Sequence, residues 1–219
     1  MLKALIFDFD GLILDTETPD MQAWQAIFAD YGQSFSINEW GQIVGGSGNS
    51  DYDPARHLES LVGHGLDRHA LNLRARRDSD LAILQQPVQP GARELIAKAQ
   101  KVGLRLAIAS SSRHDWVDTY LQRLGLFDYF EFTVCGDDVQ RTKPDPQLYL
   151  LALKSLGVTA MEALALEDSP NGIRSAQQAG LFTVAVPIPL TRQLGVEHAN
   201  LLLDSLEEVQ LDKLQARFI

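Results

Sequence analysis

Short apolar segments recur along the chain, and they lack the alternation of apolar and polar residues that marks a half-exposed strand. They lie at residues 4–7, 104–109, 130–134, 163–166 and 182–186. Continuous apolar segments of this length are typical of strands that are covered on both faces, as in parallel sheets. We therefore predict buried parallel strands at these positions and a short final strand at residues 200–203.

Helical spacing of apolar residues appears between these segments. The patterns lie at residues 92–102, 114–124, 146–156 and 170–179, and each ends next to a glycine: Gly103, Gly125, Gly157 or Gly180. Glycine is a frequent stop signal at the C-terminus of a helix. The alternation of strands and helices predicts an α/β fold with a Rossmann-like, doubly wound parallel sheet, closed by an amphipathic helix at residues 205–217.

The stretch from residue 16 to residue 86 interrupts this alternation. It contains helical patterns at residues 21–31, 54–62 and 68–84, a glycine-rich segment at residues 44–51, and no convincing strand. We therefore predict two domains, a catalytic core of residues 1–15 and 87–219 and an inserted helical cap domain of residues 16–86. The hinges are expected near residues 14–17 and 85–90.

Composition narrows the classes of function. Hydrophobic residues make up 45% of the 219 residues, which is enough for a sizeable core. The net charge of −10 disfavours binding to nucleic acid or to an anionic membrane surface. No apolar run is long enough to span a bilayer, and a single cysteine, Cys135, allows no internal disulfide. We expect a cytoplasmic protein that is a monomer or a weak homodimer.

Acidic residues follow the predicted strands. Asp8 and Asp10 follow the first strand, and Glu167 and Asp168 follow residues 163–166. Carboxyl ends of parallel strands meet at the edge of the sheet where ligands bind. Clustered carboxylates repel one another unless a cation compensates them, and oxygen ligands without histidine or cysteine suit Mg²⁺. The sequence therefore predicts a Mg²⁺ site at this edge, although Asp168-Ser169-Pro170 also fits an ordinary helix N-cap.

Several segments together resemble the haloacid dehalogenase superfamily of phosphotransferases. They are DFDGLILDT at residues 8–16, AIASSS at 107–112, KPDP at 143–146 and LEDSPNGIRSAQQAG at 166–180. The last segment is the most specific. The arrangement is similar to the subfamily with a small helical cap after the first motif, which includes phosphoglycolate phosphatase-like and β-phosphoglucomutase-like proteins.

The resemblance implies catalytic roles for four residues. Asp8 would be the nucleophile that forms an aspartyl-phosphate, and Asp10 would protonate the leaving oxygen and later activate water. Ser110 would hydrogen-bond the phosphoryl group, and Lys143 would neutralise Asp8 and the phosphate. The ligands of Mg²⁺ would be Asp8, the Asp10 carbonyl and Asp168, with Glu167 completing the metal site through water or by contact with these ligands. Substrate contacts are expected from a further set of residues: Thr16, Glu17, Ser111 and, among the cap arginines, Arg77.

Two departures bear on the reaction. Mutase-like members carry a histidine a few residues after the DT pair, where this chain has Asp20, and an arginine in a cap loop, where this chain has Gly46-Ser47-Gly48. Both departures favour hydrolysis of a small phosphorylated metabolite, such as a sugar phosphate or phosphoglycolate. A phosphomutase and a non-catalytic binding protein remain the alternatives. We expect Trp24, Trp40 and Trp116 to be packing groups, with Trp24 as a candidate to face the cleft instead.

Overall fold

A sheet of six parallel strands forms the centre of the computed structural model, which describes residues 1–44 and 52–218. In chain order the strands are β1 (Ala4–Phe7), β2 (Arg105–Ala109), β3 (Phe132–Val134), β4 (Ala163–Glu167), β5 (Phe182–Ala185) and β6 (Leu201–Leu202). They lie side by side in the order β3-β2-β1-β4-β5-β6, and each neighbouring pair is parallel. The predicted α/β, Rossmann-like fold is confirmed.

Helices precede, connect and follow these strands. The α-helices of the described residues are α1 (Glu17–Asp30), α2 (Ile37–Trp40), α3 (Pro54–Val62), α4 (Arg68–Ile83), α5 (Ala92–Lys101), α6 (His114–Arg123), α7 (Gln147–Leu156), α8 (Pro170–Gln178), α9 (Pro189–Arg192) and α10 (Leu211–Ala216). Short 3₁₀ helices lie at Phe127–Tyr129, Gly136–Asp138, Ala160–Glu162 and Leu206–Glu208. Within the described part of the chain, each helix is too short or too polar to cross a membrane.

The two faces of the sheet pack against different helices. Successive residues of a strand point to opposite faces. Leu5 and Phe7 of β1 join an apolar cluster with α5, α6 and α10, whereas Ala4 and Ile6 join a second cluster with α7 and α8. All residues of β1 are therefore buried, which explains why its sequence is continuously apolar.

Helices α1 to α4 form a separate layer beside the carboxyl ends of the strands. They pack around their own apolar cluster, whose largest members are Trp24, Phe28, Phe35 and Trp40. The chain enters and leaves this layer at neighbouring points, because Leu14 pairs with Val88 in an antiparallel bridge. The layer also contacts the core elsewhere, since the Asn171 side chain donates a hydrogen bond of 3.1 Å to the Val44 carbonyl.

Three details differ from the sequence predictions. The predicted helix at residues 205–217 is wrong in its extent, because the extended backbone at Val209 separates the 3₁₀ helix Leu206–Glu208 from α10. Two short helices, α2 and α9, were not predicted. Helix α1 begins at Glu17 rather than at residue 21, since Pro19 is tolerated in a first helical turn. The predicted glycine-rich segment 44–51 lies outside the described residues from position 45 onward.

Candidate active site

The acidic residues predicted to form a site lie where the strand order reverses. Strands β2 and β3 lie on one side of β1, and β4, β5 and β6 lie on the other. Asp8 follows β1, and its backbone N–H continues the ladder to the Leu166 carbonyl at 2.9 Å. Glu167 ends β4 and Asp168 follows it. Ligands of open α/β sheets bind in the crevice beyond such a reversal.

Lys143 is buried between two of these acids. Its Nζ atom lies 2.5 Å from Asp8 Oδ1 and 2.6 Å from Glu167 Oε1, and its side chain is 1% exposed. Burial alone would lower the pKa of Lys143, but the charges of Asp8 and Glu167 raise it above its ordinary value. The lysine is therefore held as a cation, and it links the residues that follow β1 and end β4.

Both carboxylate oxygens of Glu167 accept hydrogen bonds from the protein. Its Oε1 accepts from the Tyr149 hydroxyl at 2.6 Å, and its Oε2 accepts from the Asp168 N–H at 3.1 Å. The carboxylate also lies against Gly172, where an added Cβ would come within 2.0 Å of its atoms. Glycine at position 172 thus makes room for Glu167, which gives a physical reason for this part of the 166–180 segment.

Asp168 is the acid without a complete set of partners. Its Oδ2 atom is buried and has no hydrogen-bond partner within residues 1–44 and 52–218. The same atom would lie 2.1 Å from a Cβ at position 11, where Gly11 has a positive φ of 80° that favours glycine. Burial, followed by the charges of Asp8 and Glu167, raises the pKa of Asp168 well above its ordinary value. A buried, unpartnered carboxylate oxygen of this kind needs a cation.

The three carboxylates together fit a divalent metal ion. Asp8, Glu167 and Asp168 can each supply an oxygen, and these atoms lie within 4.8 Å of one another. Lys143 compensates only one of their charges. Burial, followed by the charge of Glu167, raises the pKa of Asp8 to about 8, although Lys143 acts in the opposite direction. Hard oxygen donors with excess negative charge suit Mg²⁺, so the residues present fit the predicted ion.

Asp10 has a different environment from Asp8. Its Oδ1 accepts from the Thr16 hydroxyl and from the Trp116 indole N–H, each at 2.9 Å. Its Oδ2 accepts from the Ser112 hydroxyl at 2.7 Å and from the Ser110 hydroxyl at 3.2 Å. Hydroxyl groups can donate or accept, whereas an indole N–H only donates. Trp116 therefore fixes the orientation of Asp10, while its other partners are hydroxyl groups that can reverse their role.

A cavity of about 300 Å³ opens beside these residues. Asp8, Asp10, Thr16, Glu17, Ser111 and Lys143 are the predicted site residues that line it. Ser110 does not line it, because this side chain is fully buried and its hydroxyl contacts Asp10. Ser111 and Ser112 are the serines that reach the cavity.

Arg77 lies away from this cavity. Its guanidinium pairs with Asp78 at 2.8 Å, and its side chain is 68% exposed. The neighbouring arginines are paired as well, Arg74 with Asp30 at 2.6 Å and Arg76 with Asp80 at 3.8 Å. The structure thus places the basic cluster on the solvated face of α4, and Arg76 rather than Arg77 reaches a neighbouring cavity.

Three aromatic residues contribute to the site although the sequence did not predict them there. Trp116 and Trp40 both line the cavity, and Trp116 hydrogen-bonds Asp10 across 106 positions of the chain. Tyr149, on the buried face of α7, orients Glu167. Local patterns identify all three as core aromatics, and only their polar atoms, a hydroxyl and indole N–H groups, hint that they do more than pack. Trp24 is buried in the layer of α1 to α4 and borders the neighbouring cavity.

A second group with metal-binding atoms lies beside α6. His114, Cys135 and Asp137 bring one ligand atom each within 4.8 Å of one another. The His114 ring nitrogens already contact Asp118 at 3.0 Å and Asp138 at 2.8 Å. The group is therefore a hydrogen-bonded network of histidine and aspartate side chains beside the buried Cys135.

Comparisons with known proteins identify the family of the chain. A family model described as "Hydrolase: haloacid dehalogenase-like hydrolase" matches residues 2–180. The chain is 40% identical to "Putative phosphatase YhcW" of Bacillus subtilis (strain 168), over 96% of this chain and 95% of that protein. It is 31% identical to "Fructose-1-phosphate phosphatase YqaB" of Escherichia coli (strain K12), over 83% of this chain and 95% of that protein.

A solved structure is also similar over nearly the whole chain. It is CbbY from Rhodobacter sphaeroides in complex with xylulose-(1,5)bisphosphate, with a TM-score of 0.72 and 28% sequence identity. The match covers 95% of this chain and 96% of that one. The likeness therefore includes the helical layer of α1 to α4 as well as the sheet.

Proposed function

The chain belongs to the haloacid dehalogenase-like hydrolase family and is a phosphoric monoester hydrolase, and we propose that it is Mg²⁺-dependent and acts through an aspartyl-phosphate. Hydrolases of this family generally use a divalent metal. The substrate in this proposal is a small phosphorylated metabolite, of the sugar phosphate or phosphoglycolate type. Relatives named for phosphatase activity on phosphorylated sugars support this choice.

One observation carries the proposal. Lys143 is buried in contact with both Asp8 and Glu167, beside an Asp168 oxygen that has no partner among the described residues. A structural ion pair does not need three acids around one lysine, because the excess charge is costly in a buried place. A site that receives a cation and a phosphate needs such an arrangement.

The proposed reaction uses each acid differently. An Asp8 oxygen bonds to phosphorus while the bond from phosphorus to the leaving oxygen breaks, and Asp10 gives its proton to that oxygen. Water then attacks phosphorus, its proton passes to Asp10, and the bond between Asp8 and phosphorus breaks. Covalent catalysis of this kind divides one difficult displacement into two easier ones. The hydroxyl partners of Asp10 suit a group that changes protonation twice in each cycle.

The ion would be held by the Asp8 and Asp168 carboxylates and the Asp10 carbonyl, with Glu167 beside them. When bound, Mg²⁺ supplies positive charge that offsets the repulsion between Asp8 and the phosphate oxygens. Lys143 supplies a second positive charge at the Asp8 carboxylate. Ser111 and Ser112 line the cavity, and in this proposal they donate hydrogen bonds to the phosphoryl group.

The helical layer is proposed to act as the cap domain, residues 16–86, over a core of residues 1–15 and 87–219. Its separate apolar cluster and the neighbouring crossings at Leu14 and Val88 support this division. A cap of this kind excludes bulk water from the reacting groups. Hydrolysis is favoured over mutase chemistry by Asp20, which lines the cavity at the place where the mutase-like resemblance implies a histidine.

We expect metal-dependent hydrolysis of p-nitrophenyl phosphate. Protein treated with a chelator should lose at least about a hundredfold in rate, because repulsion between Asp8 and the phosphate is then uncompensated. Added Mg²⁺ should restore the rate and also raise the melting temperature, because a ligand that binds only the folded state stabilises it. Phosphate release and thermal unfolding in the same buffers measure the two effects.

Asp168→Asn serves as the matched variant for this experiment. It keeps the size of the side chain but removes one charge from the proposed ion site, so both the rate and the Mg²⁺-dependent shift in melting temperature should fall. Equal rates with chelator and with Mg²⁺ in the parent protein would contradict the proposed metal dependence. Failure to hydrolyse any phosphate ester in Mg²⁺ would contradict the proposed function.

A further inference from the structure

A second cavity continues the active-site cavity toward α4. It has a volume of about 410 Å³ and shares Asp20 and Trp116 with the first. Both volumes lie within or near the usual range of small-molecule sites. The reacting carboxylates lie in the first cavity, so the part of the substrate beyond the phosphoryl group must meet Glu17, Asp20 and the residues of the second.

These walls offer little positive charge. Among the described residues, Lys143 and Arg76 are the lysine and arginine side chains that line the two cavities. Lys143 is committed to Asp8 and Glu167, and Arg76 is 76% exposed and faces Asp80.

Two acidic side chains, rather than basic ones, line this part of the cleft. Glu17 and Asp20 both line the first cavity. The Glu17 carboxylate has no hydrogen bond or ion pair with any other residue in the described ranges 1–44 and 52–218. The charges of Asp10, Asp20 and Asp8 act on the position of Glu17. More negative charge in this place is therefore unfavourable, whereas a hydroxyl group that donates to these oxygens is favourable.

Aromatic side chains provide the remaining surface. Trp40 and Trp116 line the first cavity, and Trp24 and Trp116 line the second. Ring faces of this kind suit the apolar C–H surface of a sugar. The hydroxyl groups of a sugar can donate hydrogen bonds to the carboxylate oxygens of Glu17 and Asp20.

We propose that the substrate is the phosphate monoester of a neutral, polyhydroxylated alcohol, and that Glu17 and Asp20 reject leaving groups with a second phosphate or a carboxylate. This inference rests on the proposed phosphatase function and narrows it. Within the sugar phosphate or phosphoglycolate class, it selects the sugar or polyol monophosphates. The selection comes from charge and hydrogen bonding at the two acids and from apolar contact with the tryptophans.

The test compares substrates that differ in a single group. Glycerol 3-phosphate and 3-phosphoglycerate share a skeleton but end in a hydroxymethyl group or a carboxylate. Fructose 1-phosphate and fructose 1,6-bisphosphate differ by one phosphate. We expect kcat/KM to be higher by at least about thirtyfold for the substrate whose leaving group is uncharged. Repulsion by two carboxylates near the leaving group can supply a discrimination of this size. Hydrolysis of p-nitrophenyl phosphate is measured in parallel as the reference for the phosphatase function itself.

Charge-removing variants assign the discrimination to the two acids. Glu17→Gln and Asp20→Asn keep the side-chain size and should each reduce the preference for glycerol 3-phosphate about fivefold or more. Asp30→Asn is the matched control, because it removes the same charge from the other end of α1, where Asp30 pairs with Arg74. The control should leave the preference unchanged, which separates local repulsion from the effect of net charge.

The possible contrary results separate a failure of this inference from a failure of the proposed phosphatase function. Equal or better turnover of 3-phosphoglycerate or of the bisphosphate would overturn the inference while leaving the phosphatase function in place. Preference for phosphoethanolamine over glycerol 3-phosphate would also overturn it, because the cleft would then select a cation. A preference that Glu17→Gln and Asp20→Asn both leave unchanged would remove these acids from the explanation. Absence of hydrolysis even with p-nitrophenyl phosphate would overturn the proposed function and the inference with it.

Discussion

Replacement of Asp8 by asparagine is expected to lower turnover by at least about a thousandfold while the fold remains intact. The amide has nearly the same size as the carboxylate, but it is a poor nucleophile and a poor ligand for Mg²⁺. Burial, followed by the charge of Glu167, raises the pKa of Asp8 to about 8, so negative charge is unfavourable at this position without a metal ion, and the neutral amide should not destabilise the fold. Steady-state phosphate release measures the loss, and circular dichroism and the melting temperature report the fold.

Asp115→Asn is the control for this variant. Asp115 lies in the first turn of α6, is 77% exposed and pairs only with Arg113 among the described residues, at 3.5 Å. Its replacement makes the same chemical change near the site without touching the reacting groups, so activity should stay close to that of the parent. Near-parental activity of the purified, folded Asp8→Asn protein would show that another group attacks phosphorus.

Replacement of Lys143 by methionine is expected to damage both stability and activity. Removal of one partner of a buried ion pair costs about 3–5 kcal/mol, because the remaining charges stay buried without compensation. In this protein Asp8 and Glu167 would both lose their cation. Turnover should fall by about a thousandfold or more, since the positive charge that faces the nucleophile and the phosphate is lost.

The loss of stability in Lys143→Met should depend on pH in a defined direction. The pKa of Asp8 is already raised from 3.8 to about 8 by folding, so the metal-free parent is stabilised below about pH 4 and loses this contribution as the pH rises toward 8. Without Lys143 the pKa of Asp8 rises further. The difference in unfolding free energy between parent and variant should therefore be smallest in acid and grow with pH.

Denaturant unfolding in chelator at several pH values measures this difference. Lys154→Met is the control, because Lys154 is exposed near the end of α7 and its replacement should change stability by less than about 0.5 kcal/mol. A Lys143→Met protein that is as stable as the parent at neutral pH would contradict the view that this lysine compensates two buried acids.

The sequence predicted the core of this fold well because its signals are local. A continuous apolar segment predicted β1, and a helical pattern predicted the helix Pro54–Val62. The tail was harder, because two extended residues, Val209 and Gln210, divide a pattern that looks helical throughout. Amphipathic spacing reports which residues face the core, and it does not report a turn inside the segment.

Only part of the candidate site could be predicted from the sequence. Asp8, Glu167 and Asp168 could be grouped from sequence because each lies at the end of a strand, and parallel strands end at one edge. The contacts of Trp116 with Asp10 and of Tyr149 with Glu167 join residues on different elements, and side-chain direction fixes both. Sequence spacing contains no such direction, so aromatic residues that orient the acids are indistinguishable from packing groups until the fold is known.

The most direct test of the central claim is to locate the covalent phosphate. Asp10→Asn protein is mixed with p-nitrophenyl phosphate and Mg²⁺, quenched, and treated with borohydride, which reduces an aspartyl-phosphate to homoserine. The good leaving group lets the first step proceed without a proton from Asp10, and loss of this residue slows attack by water, so the intermediate should accumulate. Peptide mass spectrometry should find homoserine in place of Asp8. Homoserine at a different acid, or unmodified Asp8 in protein that is turning over, would contradict the account.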